Sequence, residues 1–256
     1  MREWILAELN HAFVRSQKWE VAVLPFGATE PHNLHMPYGT DNFEVQEVGS
    51  RACERAYRAG AKVVLLPAIA YGVNTNHLKI PGALACSVKP TTLLHILTDL
   101  VDSLERQGVK KLLLLNGHGG NELKPLMREL HHRTEVFLCL CDWFRMAADV
   151  YPKIFDKVGE HADEVETSLG LAFFPEFVRP ELADAGAAQP TKLEAINRGW
   201  ISMTRPWHLV TTNTGLGDPR AATADKGRRL MEILVERLGQ FLVDLAALPM
   251  NERFPY

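Results

Sequence analysis

Three stretches of this chain concentrate histidine with acidic residues. The first is Glu30-Pro31-His32, with Asp41 nine residues after His32, in GATEPHNLHMPYGTD. The second, Asn116-Gly117-His118-Gly119-Gly120-Asn121, directly follows the apolar run Leu112 to Leu115. The third runs from Glu160 through His161, Asp163, Glu164 and Glu166 to Ser168. Imidazole and carboxylate donors without cysteine are borderline-to-hard ligands, suited to zinc, manganese or iron. A divalent ion in such a set activates water or a substrate oxygen, so the residue types point to metal-assisted chemistry.

Spacing sharpens this reading. Residues two apart in an extended segment project to one side, and Pro31 favours an extended Glu30. Glu30 and His32 can therefore point together into a cavity. Asp41 stands just before a helix, where a carboxylate can also act as an N-cap for Phe43 or Glu44. The glycines around His118 either clear space for its ring or cradle an anion at a helix N-terminus. The loop lacks the lysine and hydroxyl of a nucleotide P-loop, and the first reading is preferred. His161, Glu164 and Glu166, each taken alone, read as an ordinary polar helix start, where acids suit the dipole. His77 lines a pocket or is a solvated loop histidine. Trp143, next to Asp142 at the end of a strand, is a pocket wall or a packing residue. Asp218 reads as a cap for the last helix.

The elements that must position these side chains follow from periodicity. Val21 to Phe26 reads as a buried strand. A helix from Phe43 to Arg58 carries Val45, Val48, Ala52 and Ala56 along one stripe. Ala61 to Pro67 is the next strand. A helix starts at Lys89-Pro90 and ends at Gly108. Lys111 to Leu115 is a strand covered on both faces. Glu122 to Arg133 is helical, Glu135 to Cys141 is a strand, and a helix begins near Asp163. Arg220 to Leu248 is a long terminal helix, and residues 179–217 are irregular, made of loops or a hairpin. The succession β-α-β-α-β-α-β argues for an α/β fold, with a mostly parallel sheet and helices on both faces. In such sheets ligands bind beyond the carboxyl ends of the strands. Glu30, His32 and His118 all follow strands there, so clusters distant in sequence converge on one rim.

Composition sets the outer bounds. At 256 residues and 46% hydrophobic content, the chain can build one large domain, taken as residues 1–256. A net charge of −3 with no basic stripe excludes nucleic acid as the expected partner. No run is long enough to span a bilayer, and MREWILAELNHAF reads as a short amphipathic helix. Cys53, Cys86, Cys139 and Cys141 form no C-x-x-C pair, so free thiols and a cytoplasmic location are expected.

At these residues the sequence resembles the creatininase (creatinine amidohydrolase) family, from Val21 to about Leu245. The resemblance is carried by P-x-G-x-x-E-x-H with P-x-G-T-D, by NGHGGN, by H-A-x-E-x-E-T-S, and by GDP-x-x-A-T-x-x-K-G. It implies a three-layer creatininase-like α/β fold and a homo-oligomer, hexameric in the family. It also implies a divalent-metal-dependent hydrolase of a small amide, of cyclic amide or formamide type, with two ions (zinc, manganese or iron) bridged by a hydroxide. Some relatives act on keto-sugars or keto-inositols, so a hydrolase, lyase or isomerase of that class is the alternative. A non-catalytic metabolite-binding protein is a further one.

By resemblance Asp41 bridges the ions, Glu30 and His118 complete the first, and His32 belongs to the second. The family glutamate two residues after the loop histidine is replaced here by Gly120. Glu166 is the first candidate to replace it, Glu164 the second and Glu122 the third. His161, with Glu166 as a nearby carboxylate, is expected to move protons. The Gly119 and Gly120 amides would hold the oxyanion, and His77 and Trp143 would meet the substrate. Two departures bear on substrate: the family's E-Q-H-G reads Glu30-Pro31-His32-Asn33, and its H-A-G-E reads His161-Ala162-Asp163-Glu164.

Overall fold

The strand runs of the sequence are apolar without alternation, and the structure shows why. In a computed structural model describing residues 1–256, four parallel strands form one sheet in the order β2-β1-β3-β4. They are β1 (Val21–Phe26), β2 (Val63–Leu65), β3 (Lys111–Asn116) and β4 (Phe137–Asp142). Val23 pairs with Leu113, Phe26 with Asn116, and Asn116 with Asp142. Every residue of β1 and β3 is buried. Successive side chains enter different cores: Val21, Val23, Val63, Leu65, Leu113 and Leu115 on one face, Ala22, Leu24, Val64, Leu112 and Leu114 on the other. A strand buried on both sides needs no polar alternation.

Five main helices cover the sheet: α1 (Thr40–Arg58), α2 (Pro90–Arg106), α3 (Leu123–Leu130), α4 (Glu164–Phe173) and α5 (Ala224–Ala247). α1, α4 and α5 close the first core; α2 and α3 close the second. In α2, Leu93, Leu97 and Val101 recur every fourth residue and are buried, and Pro90 opens the helix where its missing N–H costs nothing. In α5 the same spacing buries Leu230, Leu234, Leu238 and Leu242, and Thr223 caps the start by accepting from the Lys226 N–H. α4 starts at Asp163, whose carboxylate accepts from the Val165 and Glu166 amides. A Cβ on Gly227 of α5 would lie 2.0 Å from the Ser168 carbonyl of α4, so glycine there lets the two helices touch backbone to backbone.

Several boundaries differ from the sequence expectation. The N-terminal stretch is not an amphipathic helix; it holds a 3₁₀ turn at Leu6–Glu8 and a single turn at His11–Val14. Ile5 instead bridges Leu65 beside β2, and Trp4 packs against the first core. Tertiary packing on a sheet edge outweighs the weak propensity of so short a helix. The terminal helix begins at Ala224 rather than Arg220, because Pro219–Ala221 forms a 3₁₀ turn that Asp218 caps through the Arg220 N–H. Lys111, read as part of an apolar strand, is buried and donates from Nζ to the Leu245 and Leu248 carbonyls at the end of α5 (2.7 and 2.6 Å). Residues 179–217 contain only isolated turns, pinned by Gln189 N–H to Val210 O at 2.7 Å. No helix is long and apolar enough to cross a membrane.

Candidate metal centre

The loops after β1 and β3 meet the first turn of α1 at the carboxyl rim of the sheet. α1 begins at Thr40 with Gly39 at the N-cap position, so Asp41 lies inside the helix and caps nothing. Its carboxylate is free to face the loops instead. Oδ1 is 3.1 Å from His32 Nε2, and Oδ2 is 3.1 Å from His118 Nδ1. Glu30 Oε1 is 3.0 Å from His118 Nδ1 and 3.7 Å from His161 Nδ1, and its Oε2 is 2.7 Å from His77 Nδ1. Glu166 Oε2 lies 3.9 Å from His32 Nε2. Three groups have all their donor atoms within 4.8 Å of one another: Glu30, Asp41 and His118; His32, Asp41 and Glu166; and Glu30, His32 and His161.

Main-chain carbonyls decide which imidazole nitrogens carry protons. His32 Nδ1 is 3.0 Å from the Glu30 carbonyl, His161 Nε2 is 2.9 Å from the Pro31 carbonyl, and His118 Nε2 is 3.3 Å from the Val73 carbonyl. A carbonyl only accepts, so these nitrogens donate. In each neutral ring the other nitrogen keeps its lone pair and faces the carboxylates. An N–H anchored to a backbone acceptor with the opposite nitrogen free is how proteins orient metal-binding histidines.

Both Glu30 carboxylate oxygens and Asp41 Oδ2 are buried without a hydrogen bond. Yet imidazole nitrogens stand about as close as hydrogen-bond partners. The two observations agree if these atoms point into the space between them rather than along a bond to each other. No lysine or arginine pairs with Glu30, Asp41 or Glu166. Buried carboxylates without a cation are costly, so the charge must be met by protons or by metal. Without metal, burial opposes charge on His32, but Asp41, Glu166 and Glu30 carry its pKa up to about 10. His118 is likewise raised well above the usual imidazole value, against burial, by Glu30 and Asp41. Burial drives Glu166 up to about 8, with His32 opposing and Asp41 adding to the rise. Burial and the neighbouring His32 push His161 down to about 3. Oxygen and imidazole donors so placed fit divalent ions that tolerate mixed sets.

The candidates for the absent second-ion glutamate are placed differently. A Cβ on Gly120 would meet His118 Nε2 and the Val73 carbonyl, each at 2.4 Å, so no side chain fits there on this backbone. Gly119 has open space instead. Glu166 lies beside His32 and Asp41. Glu164 is turned away: Oε2 accepts from the Asp156 and Lys157 amides, and Oε1 meets Lys226 Nζ. Their two-residue separation on a helix puts them on different faces. Glu122 is exposed and joins no donor group.

These groups line a cleft of about 960 Å³ that also takes in Gly119, Gly120, His77, Trp143, His161 and residues 202–205 and 207. His77 is not a solvated loop histidine; it is buried, aimed at Glu30 and edge-on to Trp207 at 4.5 Å. Trp143 is almost wholly buried in the first core, with its indole N–H unpaired on the cleft side near Gly117. Asn116 and Asn121 hold the glycine loop, through Asn116 Nδ2 to the His118 carbonyl (2.9 Å) and Asn121 Nδ2 to the Gly27 carbonyl (3.0 Å). Sequence reasoning passed over Glu44, Arg205 and Trp207. Glu44 follows Asp41 by three residues on α1, is buried, and has neither oxygen hydrogen-bonded. Burial and the charges of Glu166, Asp41 and Asp163 raise its pKa well above the usual value. The i, i+3 spacing was the available signal. Arg205 and Trp207 sit in an irregular segment with no periodicity to read.

A three-layer α/β fold with a histidine–carboxylate cluster buried at its carboxyl rim is a metal-site protein of the kind built at the open end of parallel sheets. The creatinine amidohydrolase (Creatininase) family model matches residues 7–242, and the chain belongs to that family of hydrolases. It is 32% identical to the creatinine amidohydrolase of Pseudomonas putida, over 84% of this chain and 86% of that one. It is 27% identical to the 3-dehydro-scyllo-inosose hydrolase of Thermotoga maritima, over 94% and 81% respectively. The crystal structure of a Bacteroides fragilis NCTC 9343 protein, assigned as a creatinine amidohydrolase, superposes with a TM-score of 0.92 at 33% identity, covering 98% of this chain and 100% of that one.

Proposed function

We propose that this protein is a divalent-metal-dependent hydrolase that cleaves a C–N bond in a small cyclic amide or formamide. The supporting observation is the set of buried, unpaired Glu30 and Asp41 oxygens facing free imidazole lone pairs. Glu30, Asp41 and His118 would hold one ion, and His32, Asp41 and Glu166 the other, with Asp41 shared. Bound metal supplies Lewis acidity and lowers the pKa of water to about 7. The unprotonated Nδ1 of His161 would accept a hydrogen bond from the attacking water and orient it, and Glu166, whose pKa is raised to about 8, is the carboxylate that would pass the proton to the leaving nitrogen. The Gly119 and Gly120 amides have no protein acceptor, which leaves them to steady the developing oxyanion. Trp143 and His77 close the walls against bulk water.

A second reading has its own support. The second-ion donor set differs from the family pattern at Gly120, and the Thermotoga relative spanning 94% of the chain is named for a keto-inositol. On this reading water adds to a ring ketone and opens a C–C bond. Assembly into a hexamer and a cytoplasmic location belong to the same proposal. The test is to purify the protein without chelator, measure its metal, and assay creatinine, dihydrouracil and N-formyl compounds beside cyclic polyhydroxy ketones. Turnover of the amides with near-stoichiometric metal supports the first reading, and turnover of the ketones alone supports the second. Full activity after the metal is stripped overturns both.

A further inference from the structure

The cleft is larger than a small amide needs, and its outer wall mixes charges, with Arg145 and Arg205 beside Glu122 and Glu160. Two cationic side chains line it, Arg145 and Arg205. Arg145 sits at the solvent edge beside Asp142, 3.5 Å away, and is 71% exposed. Arg205 is held further in. Its guanidinium lies over the Trp207 ring at 5.7 Å, and Trp207 packs edge-on against His161 (4.9 Å) and His77 (4.5 Å). Arg205 therefore stands one indole ring away from the histidines that flank Glu30. Its Nη2 pairs with Glu160 Oε2 at 2.7 Å, while Nε and Nη1 donate to no protein acceptor. Stacking on a buried tryptophan and one ion pair hold a guanidinium that lines the cleft and keeps two nitrogens without a protein acceptor.

We propose that Arg205 is a specificity residue that reads a carboxylate at the end of the substrate opposite the carbonyl attacked. The proposal rests on the hydrolase reading for the metal end of the ligand, and it narrows the substrate to a small anionic carbonyl compound. Metal at the cleft floor would take one anionic end of a ligand, and Arg205 offers a cationic partner at the wall. A planar guanidinium with one free donor edge matches a carboxylate better than it does a hydroxyl. Glu160 occupies one edge and leaves the other for the ligand.

The test reads binding rather than turnover. Metal-loaded protein is titrated calorimetrically with succinate, glutarate and adipate, and with pentanoate, which lacks the second carboxylate. One carboxylate of a diacid engages the metal side and the other reaches Arg205. The best diacid is expected to bind wild type at least about tenfold more tightly than pentanoate, the ratio for one charge-assisted pair. Arg205→Met should erase that ratio, and Arg205→Lys should restore part of it. Glu160→Gln breaks the ion pair but keeps the guanidinium, so the preference should remain. The proposal is overturned if wild type does not prefer the diacids, if Arg205→Met keeps the preference, or if Glu160→Gln loses it as Arg205→Met does. Failure to cleave any amide or ketone would sink the hydrolase reading and leave this binding result standing.

Discussion

Gly119 and Gly120 are neighbours in one loop, yet the structure assigns them opposite tolerance. A Cβ at Gly119 meets nothing within 4 Å, while one at Gly120 comes within 2.4 Å of both the Val73 carbonyl and His118 Nε2. Neither glycine has a positive φ, so alanine adds no backbone strain at either site. The contrast is purely steric. At Gly120 the new methyl overlaps a backbone oxygen by about 1 Å relative to ordinary contact, and forced overpacking of this kind costs about 1–3 kcal/mol. It also lands on the bond that fixes the His118 ring, His118 Nε2 to Val73 O at 3.3 Å. Loss of such an outer anchor lowers metal affinity about 10–100-fold. Gly120→Ala should therefore lose about 1–3 kcal/mol in urea unfolding and bind zinc or manganese about 10–100-fold more weakly. Gly119→Ala should match wild type in both measurements. Equal metal affinity in the two variants would refute the claim that the Val73 carbonyl sets the His118 ring.

Asp41→Asn should remove activity and lower bound metal by elemental analysis while the fold persists by circular dichroism, because Asp41 caps no helix; full metal content would contradict its bridging position. Glu166→Gln should lower metal content without a large stability change. Glu164→Gln should do the reverse, losing about 2 kcal/mol as a buried acceptor is removed, and the same phenotype for both variants would reject the geometric split between them. In the metal-free protein the His32 pKa of about 10 lies above its ordinary 6.5, so its stabilisation is complete below 6.5 and is lost as pH rises through 10. Glu166, raised from 4.5 to about 8, favours its protonated form in the fold and also makes stability fall as pH rises. Chelated protein should thus melt at lower temperature at pH 9.5 than at pH 7, with a smaller loss when metal is bound. A flat or rising melting temperature in the chelated sample is the contrary result.

The sheet was legible because β1 and β3 are buried on both sides, which leaves an unbroken apolar signal in Val21 to Phe26 and Leu112 to Leu115. The convergence of Glu30, His32 and His118 followed from a rule about strand ends rather than from any local pattern, and Asp41 joined them through the family resemblance. The function of Asp41 was harder to read, since a boundary shift of a few residues turns a cap into an inward-facing group. Glu164 and Glu166 could not be separated by sequence, because choosing between them requires knowing which face of α4 meets α1. His77 was left open between pocket and solvent, and Arg205 was passed over, for another reason. They arrive on irregular segments held by Trp207 and by long-range backbone bonds, which carry no periodicity.

The acceptors that orient His32, His118 and His161 belong to the peptide backbone, at residues 30, 73 and 31. Main-chain oxygens survive every substitution that leaves the local path unchanged. Side chains that do not press on those carbonyls can therefore drift, as at Gly119 with open space around it, without retuning the rings. A scaffold wired in this way can exchange one substrate for another over evolutionary time while its cation-gripping core stays the same.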